Sequence, residues 1–288
     1  MSILLDNGLV RAEILDPAER DDVHFSSRYS YCGYIKQLYA DGKPMLSSPR
    51  AVFDPFSGEG FPGEFEEPLG YADARPGEPF LKIGVGREIR RGGEGYTNRD
   101  RHAVAGVAEI CLSKGDHFAE FTVGDALGDH AYKYVKRVSL EGENLVVSHI
   151  LENTGRAELH TLWYSHAFLP VGKSAPRLCV ARECELVGGG VYARPEENST
   201  GKAEYRIVLG ETGEKGGCCL FRTERAPCVQ ELFCGVYYRA EGDRPAQELQ
   251  VFANEKIISA EPKLKINLAA GEKQEWSFRY IFKSTERE

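Results

Sequence analysis

The sequence predicts an all-β chain. Short runs rich in Val, Ile, Tyr and Phe recur along it, 31 glycines and 14 prolines are spread between them as turns, and apolar periodicity at the helical spacing is scarce. With 288 residues, 42% of them hydrophobic, the chain can bury about three quarters of its unfolded surface, and all-β chains of this size are commonly one domain. We expect a single domain over residues 1–288, with Ser284 to Glu288 as a charged, frayed tail.

Taken in order, the stretch from Asp54-Pro-Phe-Ser-Gly-Glu-Gly60 to Arg75-Pro-Gly77 lacks clean alternation and reads as loops over one end of the sheet. Loops concentrate binding residues, so Glu59, Glu64 and Glu66 are candidates to touch a substrate; the plainer reading of such an acidic run is a solvated surface. Lys82-Ile-Gly-Val-Gly86 superficially resembles a phosphate loop. Without a third glycine or a following helical pattern the signal is weak, and Gly84 and Gly86 read as bends in a strand.

Leu145 to Leu151 and Leu159 to Phe168 alternate on either side of Asn153-Thr-Gly155, turn chemistry that predicts a hairpin. Alternation puts His160, Leu162, Tyr164 and His166 on one face, polar and aromatic where a core strand would show aliphatics. By default a lone histidine there is a hydrogen-bonded core residue. His160 and His166 are roughly 20 Å apart on a strand, too far to share a metal ion. The plain reading of Glu261 is a surface glutamate held extended by Pro262.

Six segments in this order resemble the aldose 1-epimerase, or galactose mutarotase-like, superfamily, and most of all a bacterial branch of it. They are Arg28-Tyr-X-X-X-Gly33, Lys82-Ile-Gly-Val-Gly86, Tyr132-Lys-Tyr134 with Lys136, Asn153-Thr-Gly155, Tyr164-Ser-His166 and Ala260-Glu-Pro262. The similarity runs from Leu5 to Phe282. It implies a large, mostly antiparallel β-sandwich with a sugar in a cleft on one sheet. It also implies that His166 is the general acid and that Glu261, ahead of the Gly271-Glu272 turn and Trp276, is the general base. Ala167 stands where that branch carries an asparagine, so the branch's detailed support of the imidazole does not carry over, although the acid itself is retained. The resemblance makes Arg28, Lys82, Tyr164 and His102 the substrate-binding residues; His102, after Tyr96-Thr-Asn98, falls near a second ligand-contacting histidine of the family. The donor fork of an arginine suits vicinal hydroxyls.

The implied reaction interconverts the α and β anomers of an aldose. A base takes the proton of the anomeric hydroxyl while an acid protonates the ring oxygen, the ring opens to the aldehyde, and closure reverses both transfers. A carboxylate with an ordinary pKa and an imidazolium would each stand in the working state near neutral pH. The chemistry calls for no cofactor and no metal. Two alternatives share the scaffold: a non-catalytic carbohydrate-binding module, and an epimerase or lyase acting on a sugar phosphate or uronate.

A net charge of −8 and the interruption of Arg87, Arg90 and Arg91 by Glu88 and Glu94 argue against nucleic acid. The same arginines leave a sugar phosphate open. No basic segment precedes a sustained apolar run and no stretch approaches 18 apolar residues, so the expectation is a cytoplasmic protein off the membrane, a monomer or homodimer whose partner is a small carbohydrate. The eight cysteines show no metal spacing and read as reduced, mostly buried thiols, with Cys218 and Cys219 on opposite faces of a strand. His24, His117, His130 and His149 read as ordinary surface or strand residues. Neither a Cys/His/Asn arrangement nor a nucleophile-elbow serine is visible.

Overall fold

Alternating apolar residues zip the chain into two large antiparallel sheets. The computed structural model describes residues 2–19, 25–93, 95–196, 202–208, 216–223 and 229–285. The first sheet runs in the order Ser2–Asp6, Val10–Leu15, Ser30–Ala40, Phe61–Phe65, Leu159–Ser165, Ile257–Leu268, Glu248–Asn254, Gly216–Arg222, Glu185–Gly188, with Lys43–Pro44 and Leu169–Pro170 as short additions. The second runs Ala193–Glu196, Ala203–Ile207, Arg177–Val180, Val229–Phe233, Val236–Gly242, Lys273–Ser284, Asn144–Asn153, His130–Glu141, Phe118–Leu127, Ile110–Gly115. A small third sheet is formed by Pro79–Lys82, Gly86–Ile89 and Val104–Val107.

The core fills the space between the two large sheets, where Trp163 of the first and Trp276 of the second meet with ring centroids 5.3 Å apart. Phe65, Tyr134, His149 and Phe278 complete this aromatic layer. Because side chains alternate along a strand, the core-facing Thr161 and Trp163 leave His160, Leu162 and Tyr164 on the outer face of the first sheet. By the same alternation Glu64, Gln250, Glu261 and Lys263 share that outer face, while Phe65, Val251, Ala260 and Leu264 turn inward.

Three local expectations change. Asn144–Asn153 and Leu159–Ser165 do not form a hairpin: the former pairs with His130–Glu141 and Lys273–Ser284, the latter with Phe61–Phe65 and Ile257–Leu268. Asn153 still makes a turn, accepting from Gly155 N–H and donating to the carbonyls of Ala157 and Leu268. That turn carries the chain from one sheet to the other, a choice that local turn chemistry does not encode. Within the stretch expected to be loops, Phe61–Phe65 is a fully buried strand in the middle of the first sheet; Pro62 and Gly63 break the apolar rhythm that would have shown it. Gly84, at φ +76°, lies in the turn between two strands of the small sheet, and Gly86, at +137°, opens the second of them. A Cβ on Gly84 would collide with the Ser30 hydroxyl, so glycine is required there twice over.

At the C-terminus, Ser284 N–H donates to Asp41 and Thr285 Oγ1 to the Gly235 carbonyl, so these two residues are tied down; the rest of the expected tail, 286–288, lies outside the described residues, as do His24 and Cys228. The seven described cysteines are free, Cys219 buried and Cys218 half-buried on opposite faces. Among the described residues no helix is long and apolar enough to cross a membrane.

Candidate active site

His166 follows directly on the Leu159–Ser165 strand, and Glu261 lies inside Ile257–Leu268. Pairing on either side of His166, Trp163 with Leu264 and Leu169 with Ile258, sets the register that places His166 opposite Glu261. Their Nε2 and Oε1 atoms are 3.0 Å apart, in an alignment that falls short of a hydrogen bond. The His166 backbone N–H is anchored on the Pro62 carbonyl at 2.9 Å. Glu261 Oε2 accepts from Gln250 Nε2 at 3.0 Å, across the next strand pairing.

Both groups are nearly sealed from solvent, His166 at 4% and Glu261 at 1% exposure. Ala167 turns into the core and offers no polar atom; His166 Nδ1 has no hydrogen-bond partner among the described residues. The imidazole is held by packing instead. Phe168 stacks on it at 4.0 Å between centroids, 21° between planes, and Tyr29 meets it edge-on at 6.1 Å.

Burial reverses the expected charge states. Removed from water, the Glu261 carboxyl is pushed up to about 8, with Arg28 and Lys263 opposing the rise and Glu64 and Glu66 adding to it. The His166 imidazole is pushed well below its ordinary value by burial and by the charge of Arg28. A normal carboxylate beside an imidazolium is therefore not the favoured state. Near neutral pH the pair holds one transferable proton, because the neutral pair and the ion pair contain the same number of protons.

One step along the same strands lies a second polar row. Tyr164 is paired with Glu64 across the sheet, and its hydroxyl donates to Glu64 Oε2 in a short hydrogen bond. Arg28 donates from Nε to Glu64 Oε2 at 2.9 Å and from Nη2 to the Tyr164 hydroxyl at 3.2 Å. Lys82, fully buried, donates to the Tyr96 hydroxyl at 2.8 Å and to the Glu66 carbonyl at 3.2 Å, with Glu64 Oε1 3.6 Å away. His102 stacks on Tyr96 at 5.4 Å and has Nδ1 3.3 Å from the Ile89 carbonyl.

A cleft of about 510 Å³ opens over the first row, lined by His166, Glu261, Arg28 and Gln250, with Tyr29, Phe168 and Phe252 as apolar walls. That volume lies within the roughly 300–1,000 Å³ typical of small-molecule sites. Arg50 and Arg99 also border it. Of the residues singled out in the sequence, His166, Glu261 and Arg28 come together on the cleft; Tyr164, Lys82 and His102 stand behind it and support Glu64, Arg28 and Tyr96. Glu64 also stands behind it, and neither Glu59 nor Glu66 is among its lining residues. Gln250, Phe168 and Phe252 were missed: the first and third are found only through strand register, whereas Phe168, two residues beyond His166 on the same face, was within reach of the sequence. No group of three or more His, Cys, Asp or Glu side chains is placed to hold a metal ion among the described residues.

Solved structures match this architecture from end to end. The galactose mutarotase related enzyme from Lactobacillus acidophilus superposes with a TM-score of 0.65 over 100% of this chain and 99% of that one, at 10% identity. The fold is galactose mutarotase-like. A galactose mutarotase-like protein from Clostridium acetobutylicum matches with a TM-score of 0.57 at 12% identity over 98% and 95% of the two chains. The aldose epimerase homologue from Caenorhabditis elegans gives 0.56 at 12% over 99% of both. No family model matches the chain, and no curated protein matches it in sequence. At these identities the likeness is one of galactose mutarotase-like fold, and the chemistry has to be argued from the cleft.

Proposed function

We propose that this protein is an aldose 1-epimerase, interconverting the anomers of a sugar bound in the cleft by acid and base catalysis. The observation that carries the reading is the 3.0 Å approach of His166 Nε2 to Glu261 Oε1, two buried side chains that line the cleft. The two sugar atoms that exchange protons, O1 and O5, are both bonded to C1, so the acid and base have to reach one edge of the ring from neighbouring positions. Facing side chains held by strand pairing on either side meet that demand.

One shared proton suffices. The partner that holds it gives it to O5 as the C1–O5 bond breaks; the other takes the O1 proton, leaving an aldehyde at C1 and a hydroxyl at C5. The pair then still holds one proton, moved to the opposite partner. Rotation about C1–C2 presents the other face of the aldehyde, and ring closure returns the proton. Burial favours Glu261 as the first donor, the reverse of the assignment implied by resemblance. Arg28 supplies hydrogen bonds to ring hydroxyls, and Phe168, Tyr29 and Phe252 give the apolar faces against which a sugar ring packs.

A second reading, an epimerase acting on a sugar phosphate or uronate, is favoured by one observation: Arg50 and Arg99 border the cleft. Anomer equilibration followed by NMR on neutral hexoses, pentoses, uronates and hexose 6-phosphates separates the two. Acceleration on neutral sugars supports the first; dependence on an anionic group supports the second. Line broadening of a bound sugar without acceleration would mark a carbohydrate-binding module and refute both.

A further inference from the structure

Glu64 is a fully buried carboxylate at the centre of the first sheet, a placement that is costly unless donors surround it. Two donors meet its Oε2, Arg28 Nε at 2.9 Å and the Tyr164 hydroxyl, and the Lys82 ammonium lies 3.6 Å from Oε1 as a counter-charge. Of these, only Arg28 reaches the cleft. Its guanidinium is held on one edge by Glu64 and Tyr164 and lies over the Tyr29 ring at 4.6 Å, so its position in the cleft wall is set from behind.

We propose that Glu64 is a positioning and specificity-determining residue: it fixes the Arg28 guanidinium in the cleft and cancels its charge, so that Arg28 meets an uncharged sugar hydroxyl rather than a phosphate or carboxylate. The proposal rests on the epimerase reading of the cleft. A guanidinium already committed to a carboxylate still donates hydrogen bonds, but its attraction for a second anion is largely spent. Arg50, with 62% of its side chain exposed and 3.8 Å from Asp54, has no such buried counterion, so any anionic group is left to the cleft border.

The charge of Glu64 also reaches the acid and base. Around Glu261 stand Arg28, Lys263, Glu64, Glu66 and His166, with Lys263 paired to Glu66 at 3.0 Å. Removing the negative charge of Glu64 leaves Arg28 unopposed and makes Glu261 give up its proton more readily.

The test is Glu64→Gln, which keeps shape and loses charge. We expect kcat on a neutral aldose to fall ~10- to 100-fold with a smaller change in KM, the alkaline limb of the kcat–pH profile to move to lower pH, and the preference for the matching uronate over the neutral sugar to rise. Tyr164→Phe, which keeps the Glu64 charge, should leave that limb in place. A Glu64→Gln enzyme with wild-type kcat, selectivity and pH limb would overturn the proposal. Should that variant fold poorly, the Arg28 Nε–H of the wild-type protein decides by NMR: slow solvent exchange supports the buried bond to Glu64, and exchange at the rate of a surface arginine refutes it. If the wild type equilibrates no sugar, the epimerase reading fails by itself; the exchange rate and the binding preference of Glu64→Gln between neutral and acidic sugars still judge Glu64.

Discussion

His166, between the strands Leu159–Ser165 and Leu169–Pro170, stands opposite Glu261 of Ile257–Leu268, brought to 3.0 Å by the pairing of Trp163 with Leu264 on one side and Leu169 with Ile258 on the other. Strand register on both sides of His166 holds the proposed acid and base together. Sites on strands keep their geometry more tightly than sites on loops.

The first prediction concerns pH. In the proposed mechanism, activity requires one proton on the pair. With Glu261 raised to about 8 and His166 lowered well below its ordinary value, kcat/KM should hold from mildly acidic pH up to about 8 and fall above it, as the last shared proton is lost. Unperturbed groups would confine the plateau to roughly pH 4.3–6.5. A pH–rate profile declining from pH 6.5 upward would count against the desolvated pair.

Removing His166 with alanine should lower the chemical step by at least ~100-fold without unfolding the protein. The measurement is anomer exchange at saturating sugar, with near-ultraviolet circular dichroism as the control for folding.

Gln250→Leu deletes the donor to Glu261 Oε2. A hydrogen bond to the carboxylate favours its charged form, so its loss should move the alkaline limb upward and lower kcat about 10-fold. Gln250 is half-buried on the opposite side of Glu261 from His166, and a profile unmoved in this variant would show that the bond has no part in tuning the pair.

Lys136, buried between the sheets with its Nζ on the Gly33 carbonyl at 2.8 Å, is lowered to about 8 by burial. Its folded value lies below its unfolded value of about 10.4, so its penalty on stability is full below pH 8 and is relieved as pH rises toward 10.4. Lys136→Met removes that dependence. Chemical unfolding at pH 7 and pH 10 should show the wild type gaining on the variant at the higher pH; a constant difference between the two would show that Lys136 does not titrate in this range.

Much of this fold was legible in the sequence because alternation and turn residues act locally. The all-β class and the strand carrying Tyr164 follow from alternation; that His166, Glu261 and Arg28 border one cleft was legible only through the segment order that carries the family resemblance. What was hidden depends on distant pairing. Phe61–Phe65 carries proline and glycine at its centre and becomes a strand only because neighbours on both sides supply its partners. Asn153-Thr-Gly155 makes the expected turn but sends the chain to the other sheet. Glu64 read as one of an acidic surface run, and the groups that compensate its charge, Arg28, Lys82 and Tyr164, lie 36, 18 and 100 residues away in sequence. The charge states of Glu261 and His166 were misjudged for the same reason: burial depends on the assembled fold, whereas an ordinary pKa assumes water.

The most direct test of the central claim is the anomer exchange rate of a neutral aldose, measured by magnetization-transfer NMR with wild-type protein and Glu261→Gln in parallel. The account predicts acceleration by the wild type that falls at least ~100-fold in the variant. Equal rates with the two proteins, or with wild type and buffer across the sugar panel, would contradict it.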